Sequence, residues 1–122
     1  MHLLIYSDIA KPTGAERFCI MVVQFFFYHL YFLLYLISAK TAHRFVGYLE
    51  EEAIHSYERY LKLVQDSVFE NTPASTLATS YWKLHPTATL EDVIKATIKD
   101  EMLHRDVNHR FADNTLKANL WG

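Results

Sequence analysis

The sequence predicts an all-α fold, a bundle of helices with one helix apolar all round. Three observations predict it. Two long stretches, about 41–66 and 89–112, repeat their apolar residues at the helical period. A third, Phe18–Ser38, holds no Lys, Arg, Asp or Glu. Gly and Pro number three each in 122 residues, too few for the turns of a strand-rich fold.

Element by element, Met1–Ala10 reads as the end of a helix, broken by Pro12 and Gly14 in "DIAKPTG". It has neither the cationic start nor the Arg/Ser-rich amphipathic character of a targeting segment. "FCIMVVQFFFYHLYFLLYLIS" at 18–38 matches the ~20 residues that cross a bilayer. Gln24, His29 and scattered tyrosines keep two other readings open, a buried core helix and a helix lying in the membrane interface. Residues 69–86 contain Pro73, Asn71 and several Ser and Thr, and read as a loop with one short turn near Tyr81 and Trp82. The last helix starts at Thr89, a fair N-cap, with Glu91 and Asp92 in its first turn.

Composition excludes some functions. A net charge of −2 offers no electrostatic basis for nucleic-acid binding. Cys19 is the only cysteine, so an internal disulfide and a thiolate metal site are excluded, and it is expected to pack as a small hydrophobe. Seven histidines beside fourteen carboxylates are the ligand types that suit iron or manganese without thiolates.

Helical phase sharpens this. Val46, Glu50, Ala53, Ile54, Tyr57, Leu61 and Val64 fall on one stripe, with His43 two turns before Glu50. Arg44, Glu51, Glu52, His55, Glu58, Arg59, Lys62 and Asp66 fall on the opposite face. On the last helix, Leu90, Val93, Ile94, Thr97, Ile98, Phe111 and Ala112 line one side, and Glu101 and His104 project from it. A carboxylate on an apolar stripe is costly unless paired, protonated or metal-bound. Two of them on separate helices, one in an E-x-x-H pattern, match ferritin-like di-iron four-helix bundles. The competing reading pairs Glu50 with Arg105 and packs His104 as a core histidine. E-x-x-H alone is a short pattern; Glu52 and His55 form another on the polar face, where solvation is the simpler role.

Longer motifs carry a resemblance. "HRFVGYLEEEAIHSY" at 43–57 and "DEMLHRDVNH" at 100–109 are similar to the two C-terminal signature motifs of the alternative oxidases. "MHLL" resembles the tail of a third motif, N-E-R-M-H-L, and "YWKL" at 81–84 also fits. The match covers residues 1–109 of what is expected to be a single partial domain, and the tail at 110–122 is uninformative. The resemblance implies a membrane-associated ubiquinol oxidase that reduces dioxygen to water at a non-haem di-iron centre, cyanide-insensitive and without proton pumping. It implies a homodimer at the mitochondrial inner membrane, docked on one leaflet through residues 18–38.

It also implies roles. Glu50, Glu101 and His104 would be iron ligands, the three that phase selects, and His2 would be a fourth. Tyr57 would be the redox-active tyrosine. His43, Tyr81, Trp82 and Asp100 would orient ligands by hydrogen bonds. Leu49, Glu52, Ala53 and Ser56 would form a wall of the quinone pocket. Leu103 stands where a histidine is often found. The family's remaining two carboxylate ligands and a quinone-pocket arginine would lie upstream of Met1, so the chain is expected to be N-terminally truncated and inactive alone. Two alternatives stay open at this point, a ferritin-like iron protein without quinol chemistry and an inactive, metal-free, membrane-associated helical fragment.

Overall fold

The computed structural model describes residues 1–118. It contains five helices among them: α1 (His2–Ala10), α2 (Gly14–Ile37), α3 (Ala39–Gln65), α4 (Thr76–Trp82) and α5 (Leu90–Ala118). No strand occurs among the described residues, so the all-α expectation holds; one isolated antiparallel bridge joins Pro73 to Thr89.

Local chemistry sets the boundaries. Lys11 ends α1 in the left-handed conformation and donates its N–H to the Ser7 carbonyl, and Pro12 follows. Gly14 does not belong to the break, as its composition suggested. It is the first residue of α2, because Thr13 and Glu16 form a reciprocal capping box around it. Ser38 closes α2 and opens α3: its N–H bonds to the Leu34 carbonyl and its hydroxyl accepts from the Thr41 N–H. The expected short turn near Trp82 is a true helix, α4, capped by Ser75. The last helix runs past residue 112, the expected limit, to Ala118.

α5 runs antiparallel to both α1 and α3, and the core lies between them. One cluster joins Ile54 and Val64 of α3 to Leu90, Ile94 and Ile98 of α5, flanked by Tyr57, Tyr60 and Leu61. A second joins Ile5 of α1, Ala78 of α4 and Val93 of α5. α1, at nine residues, is too short to persist alone. Fully burying Ile5 contributes about 1.5–3 kcal/mol to its docking. The 66–89 connection is stitched to the start of α5 by the Ala74 N–H to Ala88 carbonyl and Leu90 N–H to Thr72 carbonyl bonds. Asn71 also accepts from the Glu91 N–H.

α2 packs along α3, and none of its residues is buried. The reading of 18–38 as a buried core helix is therefore not met in this chain. Cys19 is exposed on it rather than packed. α2 has the length and composition to cross a membrane.

Two residues assigned by phase to the polar face of α3 instead face the rim of α5. Arg44 donates to His109 Nδ1 at 2.7 Å and pairs with Asp113, and His109 Nε2 donates to Glu51 at 2.9 Å. The stripe is wide enough that its edge residues reach round to the neighbouring helix, and their charges are met there. Phe111, expected on the inner side, is 49% exposed and lies against His43.

Gly47 makes room for this cluster. A Cβ at Gly47 would lie 2.6 Å from the His109 ring. Gly47→Ala should therefore expel the ring from its bonds with Arg44 and Glu51 and lower the unfolding midpoint. In a His109→Ala background the same change should instead stabilise, by up to about 1 kcal/mol, because alanine favours helix over glycine. Chemical denaturation of the four proteins checks the reversal of sign; equal effects in both backgrounds would contradict it.

Candidate metal centre

α3 and α5 bring Glu50, Glu101 and His104 together: one donor atom of each lies within 4.8 Å of the others. Glu50 and Glu101 are partly buried, and His104 is on the exposed side. Antiparallel packing places Glu50 on α3 opposite the Glu101–His104 turn of α5, and the i,i+3 spacing aims both α5 side chains the same way. The pairing of Glu50 with Arg105 does not occur; Arg105 bonds to Asp106, and His104 is not a packed core histidine.

Two carboxylates and an imidazole within reach of one point are a hard, thiolate-free donor set that fits iron or manganese. Burial pushes the Glu50 carboxyl up, opposed by the Asn108 amide and nearby His104, while the charge of Glu101 adds to the rise. A cation would relieve both the burial and the mutual repulsion of the carboxylates.

His2 lies beside this group, its ring 6.4 Å from that of His104. Its Nδ1 meets Glu101 at 3.0 Å and its Nε2 meets Asp100 at 3.0 Å. With a carboxylate at each nitrogen, the site favours the protonated ring, which can donate from both. The Glu101 bond raises its pKa; burial opposes and Asp100 reinforces. A ring nitrogen of His2 becomes available to a metal only by giving up one of these carboxylates.

Asp100 is the hub of the surrounding bonds. It accepts from His2 and, at 2.8 Å, from Trp82 Nε1. Burial would lift the Asp100 carboxyl, but these two donors outweigh it and hold it below the usual range. Tyr81 stands edge-on to Trp82 and is 46% exposed. His43 bonds to Asn108 at 3.0 Å between the rings of Tyr35 and Phe111. Tyr57 packs against the Ile54 cluster and the Tyr6 ring, and burial, then the charge of Glu101, raises its pKa. Leu49, Glu52, Ala53 and Ser56 share one side of α3, exposed except for the partly covered Ala53. Ser56 accepts from Arg59, and His55, partner of Glu52 in the second E-x-x-H pattern, pairs with Glu58 in solvent.

Two bonded pairs near the site were not singled out from sequence. Tyr6 donates to Thr97 Oγ1 at 2.9 Å, and the Thr97 hydroxyl donates to the Val93 carbonyl. Asn108 bonds Glu50, and its position one turn after His104 on the inner side of α5 was the available signal.

The metal-free chain should hold α1 against α5 more firmly near pH 6 than near pH 8. A raised pKa on His2 gives stability that is fully present below the ordinary 6.5 and lost as pH rises through the folded value. Hydrogen exchange of the α1 amides measures this: protection should rise on acidification, and His2→Gln should remove most of the rise. Unchanged pH dependence in that variant would assign it elsewhere.

A sequence model of the alternative oxidase family matches residues 1–113. Similar proteins include ubiquinol oxidase 1a, mitochondrial, of Arabidopsis thaliana, 51% identical over 113 residues, covering 93% of this chain and 32% of that protein. Ubiquinol oxidase 1, mitochondrial, of Glycine max is 50% identical over 113 residues, covering 93% and 35%. Ubiquinol oxidase 2, mitochondrial, of Nicotiana tabacum is 50% identical over 109 residues, covering 89% and 37%. The chain spans about a third of the length of these relatives. With the family's motifs on the two helices that bring Glu50, Glu101 and His104 together, and a match over nearly the whole sequence, the chain belongs to the alternative oxidase family.

Proposed function

We propose that this chain supplies part of the active site of a mitochondrial ubiquinol oxidase that reduces dioxygen to water, cyanide-insensitively and without proton pumping. The observation that carries the reading is the convergence of Glu50, Glu101 and His104 from two facing helices in a chain of this family. The relatives' printed names supply the quinol substrate and the mitochondrial setting.

Glu50, Glu101 and His104 would hold iron, with His2 joining them or steadying Glu101 from outside. Two irons are expected in the complete site, and when bound they would supply the capacity to reduce dioxygen with electrons from quinol. Asp100 orients His2 and is itself oriented by Trp82, with Tyr81 edge-on to the Trp82 ring. That chain of bonds restricts how far the Glu101 side can swing.

Tyr57 is the redox-active side chain of this proposal. Its burial, reinforced by Glu101, keeps the phenol protonated. Oxidation of Tyr57 would therefore start from the neutral phenol rather than from a phenolate. Leu49 and Ala53 offer apolar surface to a quinol ring, while Glu52 and Ser56 offer oxygens to its hydroxyls. The ring would arrive from a membrane leaflet on which α2 lies with its apolar surface, every residue of which is at least partly open.

Metal binding and turnover test separate parts of this reading. The chain in detergent should bind iron(II) anaerobically, and Glu101→Ala should weaken binding at least tenfold by removing a charged donor. Membranes carrying this chain alone should consume no quinol-dependent oxygen, whereas a full-length relative such as the Arabidopsis thaliana ubiquinol oxidase 1a, with its matching 113 residues replaced by this chain, should consume it with a short-tailed ubiquinol in the presence of cyanide. Tyr57→Phe should keep the iron and lose that uptake by two orders of magnitude or more. Iron binding unaffected by Glu101→Ala would sink the metal site, and full uptake by Tyr57→Phe would remove the tyrosine from the mechanism.

A further inference from the structure

A residue outside the proposed metal-ligand set is hydrogen-bonded to one of its members. Asn108 lies on α5, one turn beyond His104. Its Nδ2 donates to Glu50 Oε1 at 3.3 Å, to Glu50 Oε2 at 3.1 Å and to the His104 carbonyl at 3.1 Å. Its Oδ1 faces His43 Nδ1 at 3.0 Å. These partners leave one way to place the amide. Three acceptor oxygens surround Nδ2, so reversing the group would set an oxygen against all three. His43 then donates from Nδ1, and its own ring is held between Tyr35 and Phe111.

We propose that Asn108 is the positioning residue that aims the Glu50 carboxylate at Glu101 and His104, with His43 fixing Asn108 in turn. The proposal rests on the reading of those three residues as a metal site.

The geometry explains why such a clamp is useful. Glu50 is the one member of the group carried on α3, and Glu101 and His104 are both on α5. A glutamate has three side-chain torsions, and nothing in its own helix selects the rotamer that crosses to α5. Asn108 spans the gap. Its bond to the His104 carbonyl anchors it to the backbone turn that carries the α5 ligand, and its bonds to both carboxylate oxygens register Glu50 against that turn. Without the amide, Glu50 must pay the rotamer entropy of that placement when the metal arrives. Without His43 the amide is free to turn, and the same loss follows by one further step.

The test uses cobalt(II) titrated into the full, metal-free chain in detergent, followed by its visible absorption. Asn108→Ala should weaken cobalt binding about 10- to 100-fold and alter the bound-metal spectrum, a typical effect of removing an outer partner of a ligand. His43→Phe keeps an aromatic ring between Tyr35 and Phe111 but cannot donate, and should weaken binding in the same direction. The double variant should bind no more weakly than Asn108→Ala alone, since His43 acts through Asn108. A merely structural bond between α3 and α5 would lower the unfolding midpoint of the metal-free chain while leaving spectrum and affinity unmoved. Native affinity and spectrum in Asn108→Ala, or fully additive losses in the double variant, overturn the proposal and leave the metal site standing. If Asn108→Ala does not fold, His43→Phe decides alone, and native affinity in it is the contrary result. Failure of the unaltered chain to bind cobalt overturns the metal reading, and this proposal with it.

Discussion

The antiparallel seam between α3 and α5 is the constraint on which the rest depends. It packs Ile54 and Val64 against Leu90, Ile94 and Ile98 and so contributes the larger apolar cluster. A few turns away, the same seam must accept Glu50 facing Glu101. Apolar burial holds the helices close; two carboxylates on the inner faces oppose that closeness. The conflict is met by polar partners placed around the carboxylates: the Asn108 amide on Glu50, and the His2 ring on Glu101. Such a local violation of binary patterning marks a functional site more often than a packing fault.

Much of this was legible beforehand, and the reason is periodicity. Glu50, Glu101 and His104 could be chosen because each interrupts an apolar stripe on a long helix, where phase is well defined over many turns. The apolar helix was legible by length and the absence of charge. The extent of α5 was less so, because the stripe is diluted by Arg110, Asp113 and Asn114, and helix continues there without a stripe to mark it. Cys19 went astray for a related reason. Apolar surroundings in sequence imply burial only if something covers the helix, and little of this chain covers α2.

What phase could not reach is the pairing across helices. The Arg44–His109–Glu51 cluster joins residues that are all polar, on stripe edges where a rotation of a few tens of degrees decides between solvent and neighbour. Gly47 would have been the clue: a glycine inside a 27-residue helix costs stability unless another group needs the space. Trp82 and Asp100 belong to the same class, joined by a bond between a short helix and a long one whose relative placement only the fold supplies. The likeness to known motifs named both residues without saying what they touch.

Ser38 joins α2 to α3 with a single residue, serving as the last cap of one helix and the first of the next. No slack remains between the lipid-suited helix and the helix that carries Glu50. At 1.5 Å per residue, Glu50 sits about 18 Å along α3 from that joint. The chain thus works as a ruler: the position of the carboxylate alongside the apolar helix is counted in turns of α3 rather than left to a flexible tether. An added residue anywhere between Ser38 and Glu50 would lift the carboxylate by about 1.5 Å and swing it roughly 100° around the axis, away from α5.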